Sequence, residues 1–175
     1  MNKTKILTVF LALVALAAGL VVQQAMRTSV KIEDTVTPLD FSFPDTSDKA
    51  QAIGQWRGKV LVINFWATWC PPCLTEISEF IKLQAEYQGK GLQFVGIAIE
   101  DKQPVLDYLK DINVNYPVLI AGDAGIALTQ QLGNVISAVP FTVVVDRAGR
   151  IVFRQPGELT PAKLREVLVP LLSAK

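Results

Sequence analysis

Short apolar runs alternate with segments whose apolar residues recur at helical spacing, and this order predicts strands and helices in turn along most of the chain. Val60-Leu61-Val62-Ile63-Asn64-Phe65 is an apolar run of strand length and reads as a buried strand. Leu74 to Leu83 instead places apolar residues at helical intervals, so a helix should open at Cys70 and stop near Gly89-Lys90-Gly91. Leu92 to Ile99 reads as a second, largely buried strand, Pro104 to Ile112 as a helix and Tyr116 to Ile120 as a third core strand. A helix over Gly125 to Leu132 ends at Gly133. Phe141 to Val145 and Arg150 to Arg154 flank Asp146-Arg147-Ala148-Gly149, which signals a hairpin. Pro161 to Leu172 closes the chain as an amphipathic helix with Thr160 as N-cap and Pro161 in its first turn. Ahead of all these, Leu39 to Phe43 alternates apolar and polar, which predicts a short half-exposed strand before a turn region at Pro44 to Lys49. The expected class is therefore α/β, a mixed sheet covered by helices on both faces.

The N-terminus breaks this alternation. Lys3 and Lys5 precede a largely apolar stretch from Ile6 to Val22, the pattern of an export signal or membrane anchor. Residues 1–22 are read as that segment, 23–37 as a polar tether and 38–175 as the folded domain. Ala15-Leu16-Ala17 offers a cleavage motif, but a cut there falls inside the apolar run, which favours a retained anchor; a buried helix of a soluble protein is the plainer alternative. Lys3 and Lys5 would hold the start of the chain in the cytoplasm and place the domain on the extracytoplasmic face, or in the periplasm if the segment is removed.

Composition narrows the chemistry. With 175 residues, half of them hydrophobic, the chain can build one ordinary core plus an appendage. A net charge of +1 with scattered basic residues gives no footprint for nucleic acid. The absence of histidine removes Ser-His and Cys-His catalysis and imidazole metal sites. What remains is the pair Cys70 and Cys73, the only cysteines, at a strand-to-helix junction.

A thiol with an ordinary pKa near 8.5 is roughly 3% ionised at pH 7, whereas one lowered to about 6.5 is about 75% thiolate. Helix N-termini favour that lowering through the dipole and free backbone N–H groups. As a structural clamp, a disulfide across so short a loop removes only about 2 kcal/mol of unfolded-chain entropy. A closed zinc site needs about four protein ligands, which one chain with two cysteines and no histidine cannot complete alone. Redox exchange is therefore the reading adopted, with a structural disulfide and a shared metal site as alternatives. Cys70, nearer the N-terminus, is the candidate nucleophile and Cys73 the resolving thiol. Pro71 and Pro72 set local geometry and redox tuning, or serve only to start the helix.

Gly58-Lys59, the run Asn64-Phe65-Trp66-Ala67-Thr68-Trp69-Cys70-Pro71-Pro72-Cys73, and Val139-Pro140 ahead of the hairpin together resemble the membrane-anchored TlpA/ResA-like branch of thioredoxins, over about Pro38 to Leu172. The resemblance implies a thioredoxin-like sheet in which Pro104 to Ile120 is an added helix-strand insertion. It implies a cis bond before Pro140, leaving the Val139 backbone free to pair with an extended substrate, with Trp69 as a further apolar contact. Phe141 departs from the small polar residue many relatives carry there, which makes the groove more apolar. Asn64 stands where plain thioredoxin has a buried acid and cannot take up a proton. Glu100 falls on an acidic position of ResA-like proteins and becomes the candidate proton acceptor; the alternative is a solvated charge beside Asp101. By the same resemblance the reaction needs no cofactor beyond the Cys70–Cys73 disulfide. The substrates are exported proteins with disulfides, such as apocytochrome c or copper-site assembly factors, and a membrane thiol carrier supplies electrons. The Gly-x-Pro-Glu-type pattern of dedicated cytochrome c maturation members is missing at Ala138-Val139-Pro140-Phe141, which weighs against that pathway. A peroxiredoxin-like thiol peroxidase and a Cu(I) chaperone using both thiolates are the competing functions.

Overall fold

The computed structural model describes residues 39–173, so the expected anchor at 1–22 and tether at 23–37 lie outside the described residues. Among the described residues no helix is long and apolar enough to cross a membrane. The centre of the structure is β3 (Val60–Trp66), seven residues that are all buried. Its pleat sends Leu61, Ile63 and Phe65 into one hydrophobic cluster and Val60 and Val62 into another. Strand β4 (Leu92–Ala98) runs parallel on one side of β3, and β6 (Phe141–Val145) antiparallel on the other. Adding β5 (Val118–Ile120) and β7 (Ile151–Pro156) completes a five-stranded mixed sheet in the order β5-β4-β3-β6-β7.

Helix α1 (Pro71–Tyr87) and helix α4 (Pro161–Ser173) cover one face, where Phe80, Leu83, Leu164 and Leu168 pack with Val60, Val62, Phe94 and Val144. Arg165 ties these two helices together, donating to Glu86 Oε1 at 2.8 Å and to the Tyr87 hydroxyl at 2.9 Å. The other face is covered by α2 (Lys102–Asp111) and α3 (Gly122–Gln131), with Val105 and Ile126 against Val95 and Ile97. Gly133 follows α3 with φ 100°, a left-handed position that glycine takes without steric cost.

Helix α3 starts at Gly122, three residues ahead of the predicted Gly125, and three further expectations change. The strand predicted at Leu39 to Phe43 is β1 (Ser42–Pro44), and it pairs with a strand that periodicity did not reveal, β2 (Ala50–Ala52). The intervening turn is built by Asp45, whose carboxylate accepts from the Ser47 and Lys49 N–H groups and from the Gln51 amide. The third core strand is a three-residue edge strand, because Pro117 has no N–H to pair with; its carbonyl accepts from Gly96 N–H at 2.9 Å. A bridge between Asp45 and Leu119 covers that edge. Helix α2 begins two residues before Pro104, which sits in the first turn, where a missing N–H costs no helical bond.

Candidate active site

Cys70 is the N-cap of α1, with Pro71 and Pro72 as the first two helical residues, and a disulfide joins Cys70 to Cys73. Both sulfurs lie on the core, but not equally: Cys70 is 4% exposed and Cys73 0%. What little of the pair meets solvent belongs to Cys70. The tandem prolines also change the electrostatics that a helix N-terminus usually offers. They remove two of the first backbone donors, leaving the Cys73 N–H as the first one that can face an anion at Cys70 Sγ.

The loop that carries Cys70 is fixed from below. Glu100, half-buried just beyond β4, accepts hydrogen bonds from the Thr68 backbone N–H and, at 3.0 Å, from Thr68 Oγ1. Its carboxylate is thus committed to the Ala67-Thr68-Trp69 turn, a positioning contact that the reading as proton acceptor did not foresee. Trp66 is buried in the core, whereas Trp69 is 63% exposed beside Cys70.

A second acid lies on the same helix as the resolving cysteine, and the sequence reading missed it. Glu76 follows Cys73 by one helical turn, on the same buried face of α1 as Ile77, Phe80 and Leu83, and is only 3% exposed. Burial pushes its carboxyl up to about 7, helped by the charge of Glu158 and opposed by hydrogen bonds from the Leu159 N–H and the Asn64 side chain. Asn64, buried on β3, donates from Nδ2 to Glu76 Oε2 at 3.4 Å and to Thr142 Oγ1 at 3.1 Å. A signal for Glu76 was present: it is an acid inside the apolar stripe of an amphipathic helix, one turn after a redox cysteine.

Strand β6 enters beside β3, with Phe65 opposite Phe141 at the cysteine end of the pair. The loop before it carries Val139, half-buried, and Pro140, buried, joined by a cis peptide bond. The Pro140 carbonyl accepts from Gly157 N–H at 2.8 Å. Just upstream, Val135 and Ile136 are 88% and 67% exposed at the tip of a turn closed by Ser137 N–H to the Asn134 carbonyl. Asn134 is fully buried and donates to the Ala138 carbonyl at 2.7 Å, so this apolar tip is held in place from both ends. A separate cavity of about 350 Å³, bounded by Ile53, Trp56, Leu61 and Val145, lies at the opposite end of β3 and β6 and contains none of these residues.

The sheet order, the disulfide at the start of α1 and the cis proline ahead of β6 define a thioredoxin-type thiol-disulfide oxidoreductase. Residues 31–168 match the Redoxin family, and the chain belongs to it, within the TlpA/ResA-like thioredoxins. It is similar to thiol-disulfide oxidoreductase ResA of Bacillus thuringiensis, 27% identical over 172 residues that cover 96% of this chain and 97% of that protein. Thiol:disulfide interchange protein DsbE of Vibrio cholerae is 29% identical over 182 residues, covering 98% and 95%. Among solved structures, a thiol:disulfide interchange protein of the thioredoxin family from Chlorobium tepidum superposes with a TM-score of 0.70 at 30% identity, covering 78% of this chain and 97% of that one. Enzymes of this type carry their electrons on the cysteine pair and need no cofactor.

Proposed function

We propose that this enzyme reduces disulfides of exported proteins from the extracytoplasmic side of a membrane, with Cys70 as the nucleophile, Cys73 as the resolving thiol and Glu76 as the acceptor of the Cys73 proton. The observation that carries the mechanism is the setting of the two cysteines, Cys70 at the N-cap with the little exposure that the pair has and Cys73 fully buried a turn before a buried carboxyl. Cys70 thiolate attacks a substrate disulfide, one substrate sulfur leaves as a thiolate, and a mixed disulfide forms. Cys73 then passes its proton to Glu76 and attacks Cys70 Sγ, releasing the second substrate thiolate and closing the Cys70–Cys73 bond. Two electrons pass to the substrate. A carboxyl near 7 is half ionised at neutral pH, so it can both accept that proton and return it to water.

Trp69 and the Val135-Ile136 tip, both exposed, and the Val139 backbone beside Pro140 are the surfaces offered to the substrate chain. The extracytoplasmic setting rests on the basic, then apolar N-terminus and on the persistence of disulfides outside the cytoplasm. A membrane thiol carrier would return the electrons, and apocytochrome c or copper-site assembly factors fit as substrates because their cysteines must be reduced before metal or haem is attached. No observation among the described residues favours the copper or peroxide readings over exchange. The test is catalysed reduction of insulin disulfides by dithiothreitol: turnover well above the uncatalysed rate is expected, and its absence in correctly folded protein would remove the proposal.

A further inference from the structure

Three polar side chains lie together in the apolar layer between the sheet, α1 and α4: Asn64 at 2% exposure, Thr142 at 0% and Glu76 at 3%. Asn64 and Thr142 are direct partners across the β3–β6 pair, and Glu76 reaches them from α1. The carboxyl is held at both oxygens, Oε1 by the Leu159 N–H and Oε2 by Asn64 Nδ2. The other end of the amide is anomalous: Asn64 Oδ1 is buried and has no hydrogen-bond partner. Buried acceptors are rarely left so, because the lost hydration is not replaced.

We propose that Asn64 is a positioning residue for the proton of the exchange reaction, an amide that presents Nδ2 to ionised Glu76 and turns over to present Oδ1 once Glu76 is protonated. The proposal rests on Glu76 as acceptor of the Cys73 proton. In that step the Cys73 Sγ–H bond breaks, an O–H bond forms on Glu76, and the electron pair stays on sulfur for its attack on Cys70. Because Oε1 accepts from Leu159, the proton belongs on Oε2, where the new O–H would point at an N–H of Asn64. Half a turn about the Asn64 Cβ–Cγ bond removes this donor-to-donor clash. Oδ1 then accepts from Glu76 and from Thr142, whose hydroxyl can donate as readily as it accepts.

The unpaired Oδ1 is what makes this exchange even-handed. Each orientation leaves one end of the amide without a partner, Oδ1 before the turn and Nδ2 after it, so the surroundings lock neither. The proton on Glu76 decides. The other titratable groups acting there are Glu158, whose charge disfavours the carboxylate, and Tyr116, held neutral by burial.

The experiment is an NMR pH titration of the oxidised full chain, following the Asn64 side-chain amide signals and the Glu76 carboxyl carbon. Both should move with one shared midpoint, and the Asn64 signals should stop responding in Glu76→Gln. Amide signals that stay constant while Glu76 titrates would overturn the proposal. A kinetic arm uses Asn64→Leu, which fills the same space without a donor. The midpoint for release of substrate from the mixed disulfide should rise by roughly one pH unit, making release about fivefold slower at pH 7 and normal by about pH 9. In the Glu76→Gln background the Asn64→Leu change should add nothing. Slowing that is equal at every pH, or that persists without Glu76, would mark a packing effect and contradict the proposal. Because the NMR arm involves no substrate, a protein that fails to reduce insulin yet shows the shared midpoint would sink the exchange reading and leave the amide coupling standing.

Discussion

Cys70 and Cys73 are chemically alike and differ only in their neighbours, so the direction of the reaction through the pair is a property of burial. Glu76 makes that burial costly in a way that can be measured. Its ordinary pKa of 4.5 holds in the unfolded chain, whereas in the fold it is about 7. Between those values the folded state keeps a proton that the unfolded state gives up. Stability from this group is therefore full below pH 4.5 and lost as pH rises through 7, by about 3 kcal/mol in total. Urea unfolding of the oxidised protein should show this decline, and Glu76→Gln should flatten it; parallel profiles for the two proteins would refute the assignment. The sequence pointed to the dithiol at once, because spacing alone isolates it, but it pointed to Glu100 as the acid. What buries Glu76 is tertiary: Leu159, 83 positions away, brings its N–H onto the carboxylate, and no local pattern announces that contact. Glu100, at the end of a strand, is half-buried and accepts from Thr68, whereas Glu76 is buried on the helix that carries Cys73.

Elements with a strong internal pattern were legible to within a residue or two. The first core strand extends one residue beyond its predicted end, β6 matches throughout, and α4 starts at Pro161 as its capping sequence requires, with the Lys163 N–H on Thr160 Oγ1 at 3.3 Å. Elements made by pairing alone were not legible. Strand β2 is Ala50-Gln51-Ala52, too short to show a period, and exists because β1 lies beside it. The β6–β7 hairpin combines both kinds of information. Its turn residues signal the reversal, and Asp146 holds it by accepting from the N–H groups of Ala148 and Arg150 at 2.9 Å and from Arg150 Nε at 2.8 Å. Asp146→Ala removes these charge-assisted bonds and the ion pair and should lower stability by about 2 kcal/mol. Insulin reduction below the melting range should be unchanged, since this turn lies at the end of β6 away from Phe141. A loss under about 0.5 kcal/mol in denaturant unfolding would show that the turn closes without its aspartate.

Across the whole molecule, the site is assembled from segments far apart in sequence: Asn64 to Glu76, Val139 to Thr142, and Leu159. The antiparallel placement of β6 against β3 brings the first two together, and α4 packing on α1 delivers the third. The proposed mechanism divides capture at Cys70 from release by Cys73, and the two cysteine variants report on that division most directly. Each variant is incubated with a disulfide-containing protein and examined for covalent adducts on non-reducing gels. Cys73→Ser should accumulate the mixed disulfide through Cys70, while Cys70→Ser should form almost none at neutral pH. Equal adduct formation by both variants would contradict the account, because it would mean that the two sulfurs are interchangeable.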